Sequence, residues 1–451
     1  MNAWQAARRS RDARFDGRFF IAVTSTGIYC RPVCPAPSPK EENVRYYPSA
    51  AAAAEAGFRP CLRCRPETSP VWTGTSGTVA RALRLIDESA LDEAGVDELA
   101  ERLGIGSRHL RRLFIEHLGA APVAVAQTRR IHFAKKLIDE TSLPFTEVAL
   151  AAGFGSVRRF NATFQKLYQR TPTELRKLAG KSAVSDPGEY RFRLRFRPPY
   201  DWARVLGFLR PRAIPGVEVV DEASYRRTIS MDGMSGWMEA KLDGDALALR
   251  IQFPSSRQLF RIVERSKQLF DLNADPAEIA ACLSEDPILT ARVAARPGLR
   301  VPGAWDGFEL AVRAVLGQQV TVKGATTLAG RVAAAYGEPI GDSYLFPTRE
   351  AIADATFEGL GLTSARAETL RQIARAGDFT LDEFLGLRGI GEWTAQYYAM
   401  RALHEPDAFP AGDLVLLKNS GLAKPKELEA RAEAWRPWRA YAAMHLWQGE
   451  A

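Results

Sequence analysis

The chain of 451 residues is longer than one hydrophobic core usually serves, so its length predicts roughly two to four domains. Apolar residues make up 46% of the chain, and the net charge of +8 suits a polyanionic partner. The amino-terminal segment lacks the apolar stretch of a secretory signal, and no apolar run is long enough to cross a membrane. These features exclude membrane-embedded and secreted classes, so we expect a cytoplasmic protein without a membrane partner.

Four of the five cysteines form two close pairs near the amino terminus. Three residues separate Cys30 from Cys34, two separate Cys61 from Cys64, and 26 residues lie between the pairs. In a reducing compartment this clustering indicates a metal site rather than disulfides, and two such loops can bring four thiolates around Zn²⁺. On spacing alone, a structural zinc knuckle that holds a small core together is the favoured interpretation.

The residues around the cysteines carry more information than their spacing. The run FFIAVTSTGIYCRPVC, followed by ENVRYY and GFRPCLRC, resembles the amino-terminal methyl-accepting domain of Ada-type alkylation regulators. The resemblance implies that Cys30 is the nucleophile that takes a methyl group from a DNA methylphosphotriester, with the other three cysteines as fixed ligands. It also implies that Thr26 and Arg59 contact DNA. A non-reactive zinc anchor is the alternative for this module.

The chemistry implied for Cys30 is physically reasonable. Coordination keeps sulfur in the thiolate form, which is the attacking species. Converting one of four zinc-bound thiolates into a thioether removes about one negative charge, so electrostatic repulsion from DNA falls. We therefore expect methylation of Cys30 to raise the affinity for a phosphate backbone, with an effect that weakens as salt rises.

From Val79 to about Leu178 the apolar residues recur at helical spacing, and two helix-turn-helix patterns follow one another. In the first pattern Gly104 to Gly106 form the turn and Ser107 is the expected cap of the next helix; in the second, Ser156 opens the helix. A tandem pair that ends in TPTELRK resembles the AraC-type DNA-binding domain, which places two recognition helices in successive major grooves. The candidate DNA-binding side chains are Arg108, Arg111, Arg158, Arg159 and Asn161. A plain helical bundle with solvated arginines is the alternative.

Residues 65–77 and 180–188 have the composition of linkers. The second linker precedes two strand-like runs, at 190–196 and 246–253, which indicate a mixed α/β module. From Trp305 onward the pattern is helical and is interrupted by glycine turns. One of these turns, LRGIG at 387–391, lies between predicted helices at 381–385 and 392–401. Gly389 and Gly391 let the backbone approach a ligand closely, and a helix amino terminus supplies N–H groups suited to a DNA phosphate.

A carboxylate follows this hairpin in the run FPAGDLVLL. With VLGQQV, LRGIGEWTAQYYAMR and WRPWRAYAAMHLW, this run resembles the helix-hairpin-helix glycosylases of the AlkA type. The resemblance implies that Asp413 is catalytic, that Trp393, Tyr397 and Trp447 line the pocket for a flipped base, and that Gln319 fills the gap left in the duplex. Bifunctional relatives have a lysine where this chain has Trp393, so the implied product is an intact abasic site.

Alkylation at a ring nitrogen makes a purine cationic, so the base is a good leaving group and needs little help from a general acid. The protein must instead favour the positive charge that develops on the sugar. Asp413 can do this by electrostatic stabilisation or by activating water, and it can also cap a helix. Packing in the core is the alternative role for Tyr397 and for the nearby Trp435 and Trp438.

We therefore expect an α+β multidomain protein. Its parts are a four-cysteine zinc module (1–70), an all-α tandem helix-turn-helix domain (77–178), a mixed α/β sheet domain (188–298) and an all-α helix-hairpin-helix glycosylase domain (299–451). The expected function is repair of alkylated DNA and response to it. The expected partners are double-stranded DNA that carries alkylated bases or methylphosphotriesters, and promoter DNA, with RNA polymerase as a further candidate. The alternative is a methylation-activated transcription regulator whose glycosylase half is only a DNA-docking surface.

Overall fold

The structure is a computed structural model that describes residues 3–71, 77–88, 90–91, 95–180, 186–377 and 379–448. Residues 72–76 of the first predicted linker and 181–185 of the second therefore lie outside the described part. The chain divides into two compact units. The first comprises Met1–Pro198 and Phe253–Glu264, and the second comprises Pro199–Gln252 and Arg265–Ala451. Within the described ranges, no helix combines the length and the apolar character needed to span a bilayer.

The secondary structure alternates between small sheets and longer helical stretches. The helices up to residue 180 are α1 (Ala3–Ser10), α2 (Ala50–Glu55), α3 (Gly77–Asp87), α4 (Val96–Arg102), α5 (Ser107–Leu118), α6 (Pro122–Glu140), α7 (Phe145–Ala151), α8 (Val157–Tyr168) and α9 (Pro172–Ala179). The later helices are α10 (Trp202–Leu209), α11 (Leu259–Leu269), α12 (Pro276–Leu283), α13 (Pro287–Ala295), α14 (Gly307–Leu316), α15 (Val322–Tyr336), α16 (Arg349–Ala353), α17 (Ser364–Ala376), α18 (Leu381–Leu385), α19 (Glu392–Arg401), α20 (Leu414–Ser420), α21 (Pro425–Ala432) and α22 (Arg439–Trp447).

The strands are β1 (Phe20–Val23), β2 (Ile28–Cys30), β3 (Val44–Tyr47), β4 (Arg59–Pro60), β5 (Glu189–Arg195), β6 (Glu218–Val220), β7 (Ser224–Met231), β8 (Met234–Asp243), β9 (Ala246–Gln252), β10 (Pro339–Ile340) and β11 (Ser343–Tyr344). Short 3₁₀ helices occupy Ala13–Phe15, Glu41–Asn43, Pro66–Thr68, Arg210–Arg212, Ser256–Gln258 and Glu433–Trp435. The strand-like runs predicted at 190–196 and 246–253 are confirmed as β5 and β9.

The amino-terminal sheet has the strand order β3-β1-β2-β4. Strand β1 is antiparallel to both β2 and β3, whereas β2 and β4 are parallel, with Ile28 opposite Arg59. Because parallel neighbours run in the same direction, the residues that follow them emerge at the same end of the sheet. Cys30 is the last residue of β2 and Cys61 follows β4 directly, so the topology delivers the first cysteine of each pair to one end of the sheet.

The two helix-turn-helix motifs are present, and they begin their second helices differently. In the first motif the residue that precedes α5 is Gly106, and Ser107 is already helical and makes no capping bond. The predicted cap at Ser107 is therefore wrong. In the second motif Ser156 precedes α8 and its hydroxyl accepts the Arg159 N–H at 3.2 Å, as predicted. Phe160 lies in the core as predicted.

A hydrogen bond and an ion pair join the long helix α6 to the zinc module. Half-buried His132 shares a hydrogen bond of 2.9 Å with the hydroxyl of Tyr29, the residue before Cys30 in the chain. On the same helix Asp139 pairs with Arg65 at 2.7 Å, directly after Cys64. The zinc module and the helix-turn-helix helices thus pack together within the first unit.

The sheet of the second unit contains β6, β7, β8 and β9 as consecutive antiparallel neighbours. Met238 and Ala240 of β8 and Leu249 and Ile251 of β9 are buried on one face. Arg227 of β7 reaches a helix through a buried ion pair.

That ion pair joins Arg227 to Glu309 of α14 with 2.6 Å between nitrogen and oxygen. Arg313, one turn further along α14, contacts Glu309 and also Glu218 of β6, each at 3.0 Å. Buried charges of this kind need such partners, because an unpaired charge in a core is costly. The network therefore holds α14 against the sheet.

The helices of the second unit enclose a core built around α14. Its buried members include Leu310, Val312, Val315, Leu370 and Ile373. Helices α18 and α19 flank the LRGIG turn with the predicted bounds, and α18 begins with a capping box between Thr380 and Glu383. This part is not wholly helical, because β10 and β11 form a two-stranded ribbon.

Candidate active site and zinc centre

Asp413 is the N-cap of α20. Its Oδ1 accepts the backbone N–H groups of Val415 at 2.9 Å and Leu416 at 3.0 Å. The short side chain of aspartate suits this position, because its oxygen reaches the otherwise unpaired amides of the first turn. The helix amino terminus also favours a negative charge here. The cap role considered for Asp413 is thus present in the structure.

Two indole groups complete the environment of this carboxylate. The Trp393 Nε1–H donates to Oδ2 of Asp413 at 2.8 Å, and the Trp447 Nε1–H donates to Oδ1 at 3.1 Å. The carboxylate thus accepts four N–H donors, two from the backbone and two from side chains. This arrangement holds a charged carboxylate in one orientation at a half-buried position.

Asp413 opens on a cavity of about 780 Å³ in the second unit. Trp393, Tyr397 and Trp447 line it together with Asp413. The rings of Trp393 and Tyr397 lie nearly parallel, with centroids 5.2 Å apart and an interplanar angle of 7°. The Trp447 ring is tilted by 64° to that of Tyr397. The structure therefore brings the four residues implied by the resemblance into one aromatic cavity.

Sequence reasoning missed three arginines that line the same cavity: Arg212, Arg313 and Arg401. Arg401 donates to the Tyr397 oxygen at 2.7 Å. Burial raises the pKa of Tyr397, but the charges of Arg401, Arg212 and Arg313 outweigh it and lower the pKa to about 8. Arg401 lies in the quoted hairpin run, whereas the other two come from remote elements and carry no local sequence signal.

Gln319 lies at the rim of the cavity, in the turn between α14 and α15. It is exposed and has a φ of 56°, in the left-handed region that a non-glycine residue rarely adopts. The neighbouring Gln318 holds this turn in place, since its amide donates to the Gly389 carbonyl at 2.9 Å and to the Thr394 hydroxyl at 3.2 Å. The side chain of Gln319 is thereby left pointing away from the core.

The two glycines in the turn between α18 and α19 are suited to their positions for different reasons. Gly389 has a φ of 90°, and a Cβ there would lie 2.6 Å from the Thr369 hydroxyl oxygen. Gly391 is the N-cap of α19, has no side-chain cap, and has open space around it. The first amides of α19 are consequently available to an external anion.

The neighbouring tryptophans belong to the core. Trp435 is fully buried and donates its indole N–H to Asp286 at 2.8 Å, and Trp438 is 7% exposed. Packing in the core, the alternative role considered for all three residues, therefore applies to Trp435 and Trp438, whereas Tyr397 lines the cavity.

The four cysteines near the amino terminus converge in space. The Sγ atoms of Cys30, Cys34, Cys61 and Cys64 all lie within 4.8 Å of one another. At this separation the hydrogen bond with Cys34 raises the pKa of Cys30, and the bond with Cys30 lowers the pKa of Cys61. Four thiols this close need a divalent cation before all can be thiolates, and four sulfurs are a preferred donor set for Zn²⁺.

The burial of the four sulfur ligands differs between the two pairs. Cys61 and Cys64 are buried, whereas Cys30 and Cys34 are partly exposed. Thr26 lies exposed in the turn before β2, and Arg59 is half-buried on the adjoining β4. Cys30, Thr26 and Arg59 are therefore all at least partly accessible from solvent.

The five candidate side chains on the recognition helices are all exposed. Arg108 and Arg111 lie on α5, and Arg158, Arg159 and Asn161 lie in the first turns of α8.

Comparison with known proteins agrees with this arrangement. Three family models match: the metal binding domain of Ada at residues 2–67, a helix-turn-helix domain at 99–178 and the AlkA N-terminal domain at 191–306. The first of these matches, with the four-sulfur cluster, identifies the amino-terminal centre as a zinc site.

The relatives cover different parts of the chain. DNA-3-methyladenine glycosylase 2 of Escherichia coli is 35% identical over 283 residues, which cover 57% of this chain and 97% of that protein. The solved 3-methyladenine DNA-glycosylase from Archaeoglobus fulgidus has a TM-score of 0.52 at 22% identity, covers 57% of this chain and 97% of its own, and shows a shared fold. The probable bifunctional transcriptional activator/DNA repair enzyme AlkA of Mycobacterium tuberculosis is 42% identical over 469 residues, or 98% of this chain and 95% of that protein. The protein therefore belongs to the family of bifunctional transcriptional activator/DNA repair AlkA proteins.

Proposed function

We propose that the second unit is a monofunctional DNA glycosylase that hydrolyses the N-glycosidic bond of alkylated purines of the 3-methyladenine type. The observation that carries this proposal is the Asp413 carboxylate, held by four N–H donors at the side of an aromatic cavity. A cavity of about 780 Å³ has room for a purine. A base can enter it only after its nucleotide has rotated out of the duplex.

Each group in the cavity has a role in this reaction. The parallel faces of Trp393 and Tyr397 attract a cationic alkylated ring. Asp413 stabilises the positive charge that develops on the sugar as the bond to the base breaks. The donors around Asp413 keep its charge in place, which favours electrostatic stabilisation over proton abstraction from water. Water then adds to the sugar and leaves an intact abasic site, since no lysine lines the described cavity.

We infer DNA contacts around the cavity from the same geometry. Gln319, exposed on the turn before α15, fills the gap that the flipped nucleotide leaves. Gly389 and Gly391 let a phosphate approach the amino terminus of α19.

The test uses the full chain and a methylated DNA duplex. We expect abasic sites to accumulate with the native protein and to be absent with Asp413→Asn, which keeps an oxygen for the helix cap. Binding of the variant to the same duplex is the control for folding. Binding by the native protein without base release would instead support the alternative of a regulator with a DNA-docking surface.

We propose that the first unit accepts a methyl group at Cys30 from a DNA methylphosphotriester. The Cys30 sulfur attacks the methyl carbon, the carbon–oxygen bond breaks, and the phosphodiester leaves with its negative charge restored. Zinc, when bound, keeps the sulfurs as thiolates. The loss of about one negative charge from the cluster lowers repulsion between this surface and DNA. The exposure of Thr26 and the partial exposure of Cys30 and Arg59 support the assignment.

Mass analysis tests the methyl transfer directly. After incubation with methylphosphotriester DNA, the peptide that contains Cys30 should gain one methyl group. The peptide that contains Cys282, the fifth cysteine and the one outside the zinc module, should not. If neither peptide is methylated, the zinc module is the non-reactive anchor.

We further propose that the helix-turn-helix pair binds promoter DNA through α5 and α8 and that RNA polymerase is a partner at the promoter. Exposure of the five polar side chains on these helices supports the first part. DNA as the common substrate also implies a cytoplasmic location. Substituting Arg158 and Arg159 together by alanine should weaken promoter binding and leave base release unchanged.

A further inference from the structure

The turn that presents Gln319 has a conformation that needs support from outside the turn. Gln319 has a φ of 56° and is exposed at the rim of the cavity. A residue other than glycine keeps this left-handed conformation only where contacts from the surrounding structure fix it. The turn between α14 and α15 therefore depends on groups from other elements.

One of these groups is Arg366 on α17. Its guanidinium donates to the backbone carbonyl of Gln318, which lies 48 positions earlier in the chain and directly before Gln319. Arg366 is half-buried and is not among the described residues that line the cavity. A hydrogen bond from a charged donor is stronger than one between neutral groups, so this contact is suited to fixing the turn.

Helix α17 also supports the glycine turn between α18 and α19. Thr369 of α17 shares its hydroxyl hydrogen between the carbonyls of Ala365 and Arg388, at 3.0 and 3.1 Å. Gln318 joins the two turns directly, because its side-chain amide donates to the Gly389 carbonyl at 2.9 Å. The turn that carries Gln319 and the glycine turn are thus bonded both to each other and to one helix.

We infer that Arg366 is a positioning residue for base flipping, because it fixes Gln319 relative to the glycine turn. The inference rests on the proposed glycosylase function, in which Gln319 fills the gap in the duplex and the glycine turn approaches a phosphate. Both must meet one distorted duplex at the same time, so their separation has to be set by the protein. Without the Arg366 guanidinium the turn loses a fixing contact, and Gln319 adopts other conformations.

This role predicts a dependence on whether the damaged base is paired. A paired nucleotide that rotates out leaves an unpartnered base and a gap beside it, which Gln319 fills. A nucleotide in a single-base bulge has no base opposite, so its flanking pairs can stack on each other once it has left. Release from a bulge therefore needs no gap filler, whereas bond cleavage beside Asp413 is the same in both cases.

The experiment compares two duplexes that carry 7-methylguanine, a cationic alkylated purine, at one defined position. In one duplex the lesion lies opposite cytosine, and in the other it is a single-base bulge. The full chain is used in excess, so that single turnovers report flipping and bond cleavage without product release. We expect Arg366→Ala to slow release from the paired duplex about tenfold, the effect of one lost bond to a charged group, and release from the bulge less than about twofold. Arg366→Lys keeps a charged donor and should recover part of the loss.

Arg371→Ala is the matched control. Arg371 is half-buried on the same helix, but its guanidinium donates to the Ala355 carbonyl at 2.9 Å, and neither residue belongs to the described cavity lining. The ratio of release from the paired duplex to release from the bulge should not change in this variant. Because one protein preparation receives both duplexes, the ratio does not depend on the fraction of molecules that is folded.

Gln319→Ala shows whether Arg366 acts through Gln319. If it does, the double variant should release the paired base no more slowly than Gln319→Ala alone. Multiplication of the two single effects would overturn the inference, and so would an unchanged ratio in Arg366→Ala. Equal slowing on both duplexes, the result expected of a direct phosphate contact, gives such an unchanged ratio. Failure of the native protein to release 7-methylguanine from either duplex would instead contradict the glycosylase proposal itself.

Discussion

The indole N–H of Trp393 lies 2.8 Å from Oδ2 of Asp413, although 20 positions separate the two residues in the chain. The bond gives Trp393 two functions in one side chain. Its ring faces Tyr397 as a wall of the cavity, and its nitrogen orients the carboxylate. The combination is possible because an indole carries a hydrogen-bond donor on a large aromatic ring.

Trp393→Phe separates the two functions, because the ring remains and the N–H donor is lost. We expect kcat to fall roughly tenfold with a smaller change in KM, since a bond to a charged group is removed near the reacting sugar. Single-turnover release of methylated bases measures the effect. Trp438→Phe is the control, because it removes an indole N–H outside the cavity. Equal losses in both variants would contradict the positioning role.

Gly389 and Gly391 provide a matched pair of alanine substitutions. Gly389→Ala places a Cβ 2.6 Å from the Thr369 oxygen and requires a left-handed alanine, so we expect a loss of about 1–3 kcal/mol in the free energy of unfolding. Gly391→Ala meets open space at a negative φ and should change the stability little. Urea unfolding followed by tryptophan fluorescence measures both. Similar stabilities of the two variants would refute this reading of the hairpin.

Removal of zinc should affect the two units differently. The sheet around the cysteines is small, and the ion supplies folding free energy on the order of 10 kcal/mol in comparable sites. We expect chelation to expose the first unit to proteolysis and to abolish methylation of Cys30, while release of methylated bases continues. Fragment mass analysis and the base-release assay check the two halves of this prediction. A protease pattern that does not change on chelation would contradict it.

The lowered pKa of His445 predicts that the second unit becomes less stable in acid. Burial, followed by the charges of Arg296 and Arg292, lowers its pKa from 6.5 to about 4. Between these values the unfolded chain binds a proton that the folded chain does not. The contribution of His445 to the free energy of unfolding is therefore fully present above pH 6.5. It falls by about 3 kcal/mol as the pH drops toward 4.

His445→Gln should remove most of this dependence. We expect its unfolding free energy to fall less than that of the native protein between pH 7 and pH 4.5. Tryptophan fluorescence suits the measurement, since seven of the nine tryptophans belong to the second unit. His109→Gln, on an exposed surface of the first unit, is the control and should retain the native profile. Parallel profiles for the native protein and His445→Gln would contradict the assignment.

Short-range sequence patterns predicted several elements correctly, and one predicted helix cap was wrong. Helices α18 and α19 were predicted at their observed bounds, because glycine turns and apolar spacing are local signals. Ser156 caps α8 as predicted, whereas Ser107 does not cap α5, because Gly106 occupies that position. Two neighbouring residues can each suit an N-cap, and the choice depends on how the preceding turn packs.

The sequence by itself determined the chemistry available to this protein: four thiols at metal-ligand spacing, one carboxylate after a glycine hairpin, and aromatic residues on the following helices. Each of these features lies within a short run of residues, so it can be recognised from the sequence of that run. Only the tertiary structure decided that Trp393 and Trp447 donate to Asp413 and that Arg212, Arg313 and Arg401 surround Tyr397. These contacts join residues from separate elements, and their formation depends on how α14, α19, α20 and α22 pack around a common core.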